Sequence, residues 1–343
     1  MKTKNGILIF KFVLLGTILF LTNSCVNNDP DPTPGWSALG DRDDLNSVYD
    51  LYIDSNGDLY AAGAFTNSSE NHYVGKWDGS NWSEVGTLDI DNNISAICGD
   101  ASGNLYIGGT IKNISDNNIV IKWNGSTWTD IGSPGGNTDI YDLVTDASGN
   151  VYAGVDSRVS RWSGSSWEIL NMSGYPHWVN ALLIDASGQL YAGGGALTAG
   201  VGGTVGMWNG SGWSYVGDLS TYEQVHTLCT DAEGNIYAGG GFDFQSGYVV
   251  KWNGSTWTDL GLNANNIVNS ICTDPDGNLY AGGEFSNSNY KKYVAKWDGS
   301  SWTDMGLNAY CGIYKLAYSN EVLYVAGSLS FQLNDGHYIA VYR

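Results

Sequence analysis

Histidine is the side chain that most readily does chemistry near neutral pH, and the sequence has four: His72, His177, His226 and His337. His177 and His226 fall in successive connections between repeated segments, with Glu223 close by. Two imidazoles and a carboxylate are a metal-ligand set in kind. No HxH or HxxxH spacing places them on one face of an element, so no metal is expected. Arg42, Arg158, Arg161 and Arg343 are too few for an arginine cluster that would hold a substrate carboxylate. There is no Ser-His-Asp constellation and no phosphate loop. Acids are plentiful, but no pair stands out as a glycosidase pair. The expectation is no catalytic set and no cofactor.

The same connections carry aromatics suited to binding: Tyr141, Tyr175, Trp178, Tyr222, Tyr310 and Tyr314, beside His177, Glu223 and His226. Trp178 is the one tryptophan of 14 that lies outside a repeat position. No periodic packing demand accounts for it, so it is the leading candidate for ligand contact; the alternative is a staple on its own sheet. Aromatics next to Asn and Asp suit a sugar or a peptide. Charge limits the partners further. With 15 basic and 35 acidic residues the net charge is −20, which repels nucleic acid.

The elements that position these residues are repeats. Tryptophans five apart recur as Trp77/Trp82, Trp123/Trp128, Trp162/Trp167, Trp208/Trp213, Trp252/Trp257 and Trp297/Trp302. Upstream of each pair comes a D-x-x-G-N/D/Q-x-Y turn, starting at Asp54, Asp100, Asp146, Asp185, Asp231 and Asp274. Within one unit, Asn265 to Gly306, an apolar β-branched run reads as strand A. DPDGN is a turn, NLYAGGEF is strand B, YVAKW strand C, DGS a tight turn and SWTDMG strand D. Four short strands per repeat make a propeller blade. Regular spacing marks the repeat tryptophans as packing residues, and Gly282-Gly283 is read as the flat surface that receives an indole. Cys98, Cys229 and Cys272 share one repeat position and read as buried free thiols; Cys311 lies in a connection.

Counting the second tryptophan, with Trp36 at the front, gives seven units. The last unit ends at HYIAVYR with no strand D, whereas GWSALG at the front is a strand D with nothing before it. The fold expected is therefore all-β: a seven-bladed β-propeller of four-stranded blades, closed by the N-terminal strand joining the C-terminal blade. Through the Gly-Gly of strand B and the downstream aromatic and Trp, residues 36–343 resemble the kelch-like and galactose-oxidase-central-domain-like bacterial propellers. That resemblance implies the fold and leaves function to the site. A–B and C–D turns are uniform, while the B–C and D–A connections differ from blade to blade. Function is expected on the variable face.

Residues 1–25 read as a secretory signal: Lys2, Lys4 and Lys11 around a short apolar run, then Ser24-Cys25. Cys25 resembles the lipidated cysteine of a bacterial lipobox. Residues 26–35, VNNDPDPTPG, are an extended spacer, and 36–343 the propeller. The reading is a monomeric, lipid-anchored envelope protein at the outer membrane, periplasmic or surface-exposed, binding a glycan or protein. A hydrolase or lyase acting on a polysaccharide at the channel mouth of the same face is the alternative.

Overall fold

A computed structural model describes residues 35–40, 47–171, 178–195, 203–219, 224–242, 246–329 and 339–343. Strand β1 (Trp36–Ala38) comes first. Blade 1 is β2 (Val48–Ile53), β3 (Leu59–Gly63), β4 (Gly75–Trp77) and β5 (Trp82–Glu84). Blade 2 is β6 (Ile94–Gly99), β7 (Leu105–Gly109), β8 (Ile121–Trp123) and β9 (Trp128–Asp130). Blade 3 is β10 (Ile140–Thr145), β11 (Val151–Val155), β12 (Arg158–Trp162) and β13 (Trp167–Leu170). Blade 4 is β14 (Trp178–Ile184), β15 (Leu190–Gly195), β16 (Thr204–Trp208) and β17 (Trp213–Tyr215). Blade 5 is β18 (Val225–Thr230), β19 (Ile236–Phe242), β20 (Ser246–Trp252) and β21 (Trp257–Asp259). Blade 6 is β22 (Val268–Thr273), β23 (Leu279–Gly283), β24 (Ala295–Trp297) and β25 (Trp302–Asp304). Blade 7 adds β26 (Ile313–Ser319), β27 (Val322–Gly327) and β28 (Ile339–Tyr342).

Seven four-stranded antiparallel sheets result, and the seventh has the order β1-β28-β27-β26. Trp36 pairs with Tyr342 and Ala38 with Ala340, so the front strand closes the last blade as expected. Each inner strand touches the next blade's inner strand, and β26 touches β2, which completes the ring.

The tryptophans latch one blade to the next. The indole Nε1 of Trp82 donates to the Leu39 carbonyl at 3.0 Å, Trp128 to Val85 at 2.7 Å, and Trp167 to Ile131 at 3.0 Å. Trp213, Trp257 and Trp302 repeat the bond to Leu170, Val216 and Leu260. Trp36 makes the seventh, to Met305 at 2.8 Å, across the closure. Each bond contributes about 1 kcal/mol, and the amphipathic indole keeps one edge wet while its ring covers the groove.

The surface that receives the indoles is not Gly282-Gly283. At three junctions it is the glycine after strand D: a Cβ on Gly40 would meet Trp77 and Trp82, one on Gly86 Trp123 and Trp128, and one on Gly217 Trp252 and Trp257. The strand B glycines face other groups. A side chain at Gly282 would collide with Ile313 of the next inner strand, and one at Gly283 with the Ile267 carbonyl.

The A–B turns consume their own carboxylates. Asp100 Oδ1 accepts the Ser102 and Asn104 amides, while Oδ2 takes Asn104 Nδ2 at 2.7 Å and the Tyr106 hydroxyl at 2.9 Å. Asp146, Asp231 and Asp274 take the Asn side chain and the Tyr hydroxyl in the same way. Burial works against the Asp274 carboxylate, but the Asn278 and Tyr280 bonds outweigh it and hold its pKa below the ordinary value. Asp274→Ala is expected to cost about 2 kcal/mol, because the Tyr280 hydroxyl and the turn amides lose their acceptor together. Urea unfolding checks it.

Of the repeat cysteines, Cys98 is buried, whereas Cys229 and Cys272 are half-buried. Burial raises all three thiols, Cys272 to about 12, which keeps them poor nucleophiles.

Candidate functional site at the channel mouth

Every inner strand begins with a β-bulge. Pairing skips one residue between Val48 and Asp50, and likewise in the other six blades. The skipped residues are Tyr49, Ser95, Tyr141, Asn180, His226, Asn269 and Tyr314. An extra residue in one strand bends it and re-aims its side chain. All seven line one cavity of about 280 Å³ at the head of the channel, and none is apolar. The second strand B glycine allows the bulge: a Cβ on Gly63, Gly194, Gly240 or Gly283 would overlap the carbonyl oxygen at its start.

In four of the seven blades the next residue satisfies backbone. An inner strand has a sheet neighbour on one side only, so amides facing the channel need acceptors. Asp50 Oδ2 accepts the Ile97 amide of the next blade at 2.8 Å, and Asp142 Oδ2 accepts that of Leu182 at 2.7 Å. Thr227 and Ser270 hydroxyls do the same for Ile271 and Leu316. In blade 7 this position is Lys315, whose Nζ lies 2.8 Å from Asp50 Oδ1.

Two carboxylates and one ammonium thus line the cavity. Burial, reinforced by Asp50 and opposed by Lys315, pushes the Asp142 carboxyl up to about 6. Burial would lower the Lys315 pKa, but Asp50 and Asp142 outweigh it and raise it. Above pH 6 the Asp142 charge is therefore a cost to the fold; as pH falls through 6 toward the ordinary 3.8, the native state holds a proton that the unfolded chain has lost. The stability of the wild type minus that of Asp142→Asn is accordingly expected to increase from pH 7.5 to pH 5. Urea titrations at both pH values measure it; an unchanged difference contradicts the assignment.

Aromatic pairs flank the mouth. Tyr141 and Trp178 have ring centroids 5.7 Å apart, tilted by 59°; Tyr49 and Tyr314 are 5.7 Å apart at 50°. Burial, with Asp156 and Asp139, raises Tyr141 to about 12, so its hydroxyl stays protonated as a donor. His226 Nε2 donates to the Gly241 carbonyl at 3.2 Å, which leaves Nδ1 as an acceptor; burial lowers its pKa. Asn180 and Asn269 spend Nδ2 on the Val225 and Ile313 carbonyls.

Of the residues expected from sequence, Tyr141, His226 and Tyr314 line this mouth, and Trp178, which does not line the cavity, packs against Tyr141 at its edge. Tyr310 is elsewhere: it is 44% exposed, with Lys291 over its ring, and does not line the cavity. Tyr175, His177, Tyr222, Glu223 and Cys25 lie outside the described residues. Sequence reasoning missed Tyr49, Ser95, Asn180, Asn269 and the Asp50–Asp142–Lys315 trio. Their signal is a column: each mouth residue stands five before the turn Asp or, in blade 7, Ser319. The variable face is also less individual than its sequences. The B–C connections of blades 1, 2 and 6 share one framework, in which Asn67, Asn113 and Asn287 each accept two backbone amides, two and four residues on.

Fold and site together define a seven-bladed propeller with a ring of seven polar bulge residues at its channel mouth. Residues 261–285 match a family model described as Two component regulator propeller; they span β22, its turn and β23. No curated protein matches the sequence. Among solved structures, a streptogramin B lyase is 8% identical with a TM-score of 0.69, covering 90% of this chain and 97% of that one. The extracellular domain of BT3049 from B. thetaiotaomicron, described as a hybrid two component system, is 12% identical with a TM-score of 0.64, covering 90% of this chain and 41% of that one. YCF48 bound to D1 peptide is 14% identical with a TM-score of 0.60, covering 92% and 97%. Identities this low speak to the fold alone.

Proposed function

We propose that this chain is a non-catalytic binding propeller that takes a glycan at the mouth of its channel. The observation that carries the reading is the polar ring of bulge residues flanked by the Tyr141/Trp178 and Tyr49/Tyr314 pairs. Flat rings stack on sugar faces, while Asn180, Asn269 and His226 offer acceptors to hydroxyl groups. The Gly-Gly strand and its kelch-like resemblance belong to the same proposal. So does the anchoring: a signal over residues 1–25, a lipid on Cys25, a spacer over 26–35, and a monomer at the outer membrane of a bacterial envelope. Extracellular domains of B. thetaiotaomicron proteins among the similar folds support that location.

A protein ligand is the second reading, supported by the similar propeller recorded bound to a peptide. A glycan array and a parallel pull-down with residues 36–343 separate the two. Retention of a glycan without cleavage supports the proposal. Turnover of any glycan overturns the non-catalytic part and favours a polysaccharide hydrolase or lyase; capture of a protein with a silent array favours the second reading.

A further inference from the structure

We infer that the ligand enters the channel mouth with a protonated primary amine, which takes Asp142 as its counter-ion; resting on the glycan reading, this makes the ligand an amino-sugar glycan. Three charged side chains line the cavity, Asp50, Asp142 and Lys315. Lys315 and Asp50 close on each other at 2.8 Å. Among the described residues no ion pair involves Asp142, whose carboxylate accepts only the Leu143 and Leu182 amides. It lies deep yet keeps an edge on the channel. One negative charge in the cavity thus lacks a cation in contact, and a low-dielectric wall makes that lack costly.

The neutral groups ask for the same partner. His226 has its one N–H committed to a carbonyl, Asn180 and Asn269 each spend one of two, and all three present acceptors on three consecutive blades. An ammonium brings three donors and no acceptor, whereas a hydroxyl brings one donor. The Tyr49/Tyr314 and Tyr141/Trp178 faces attract a cation through their ring quadrupoles. An anionic sugar would instead meet Asp142 and a net charge of −20.

The test is calorimetry at about pH 6.5 with a glucosamine tetramer, its N-acetylated counterpart and a lysine-containing peptide, on wild type and Asp142→Asn. The free amine is expected to bind at least about tenfold tighter than the acetylated form, a gap of about 1.4 kcal/mol, and Asp142→Asn should abolish the gap. Equal binding of the two tetramers, or a gap that survives in Asp142→Asn, overturns the inference and leaves the glycan reading standing. Asp142-dependent binding of the peptide alone overturns the glycan reading and the amino sugar with it, keeping only the amine. No binding of any probe overturns both.

Because Asp142→Asn keeps only one of the two accepting oxygens and so strands one of two amides, wild type supplies an arm that needs no variant. Its affinity for the glucosamine tetramer should fall between pH 6.5 and pH 5, although the amine is more fully protonated there. Asp50, Lys315, Cys98, His226 and the ring tyrosines are the titratable groups around Asp142. Protonation of His226 acts in the same direction, and whatever pH dependence remains in Asp142→Asn belongs to it. Affinity that rises toward pH 5 overturns the inference.

Discussion

Trp36→Ala is expected to remove about 3–5 kcal/mol of stability, a large share of what holds a domain folded. Trp36 is 4% exposed and packs edge-on against Tyr342, with centroids 5.2 Å apart. Its Nε1 bond to Met305 is the latch between blades 6 and 7, and its three-residue strand supplies the outer edge of blade 7. Losing it therefore loosens a core, an interblade bond and the covalently distant closure together. Trp82→Ala is the comparison: it makes the same kind of latch, to Leu39, but its indole is only half-buried and its own strand belongs to a continuous blade. Equilibrium urea unfolding compares them. A smaller loss for Trp36→Ala than for Trp82→Ala contradicts the closure argument.

Gly194→Ala is the second large effect, at about 3 kcal/mol. Its Cβ would overlap the carbonyl oxygen of Trp178 and the start of the bulge in β14, so backbone rather than a flexible side chain must yield. The shift also carries Trp178 away from Tyr141, which a change in tryptophan emission reports. Gly188→Ala is the contrast: at φ +84° with open space around it, alanine meets only the conformational penalty of about 1 kcal/mol. Equal losses at the two positions exclude the steric account.

The fold is legible because each repeat restates its own chemistry. Asp-x-x-Gly-Asn with the following Tyr encodes a turn that satisfies itself, and a tryptophan at each blade junction encodes the latch. Trp178 stands out by the opposite logic, as an aromatic that no repeat demands. The mouth is harder to read. In β22 the adjacent Asn269 and Ser270 break the alternation of a strand, and that break is the bulge itself. Read as one noisy strand it carries no meaning; only the column across seven blades shows a polar ring. The glycine pair announces that something comes close without saying what. An indole fits that signal as well as the next strand's Ile313 and a bulge carbonyl, which are what the structure places there. The Asp50–Lys315 pair joins the first blade to the last, a proximity visible only once the ring is closed.

Binding at the mouth is tested most directly by the affinity of Tyr141→Ala and Trp178→Ala for the glycan that the array selects. Both side chains are half-buried at the rim, so thermal midpoints should stay within a few degrees of wild type. The account predicts at least a tenfold loss of affinity in each, with Tyr310→Ala unchanged. Full affinity in both variants, or a loss confined to Tyr310→Ala, would move the working surface away from the channel.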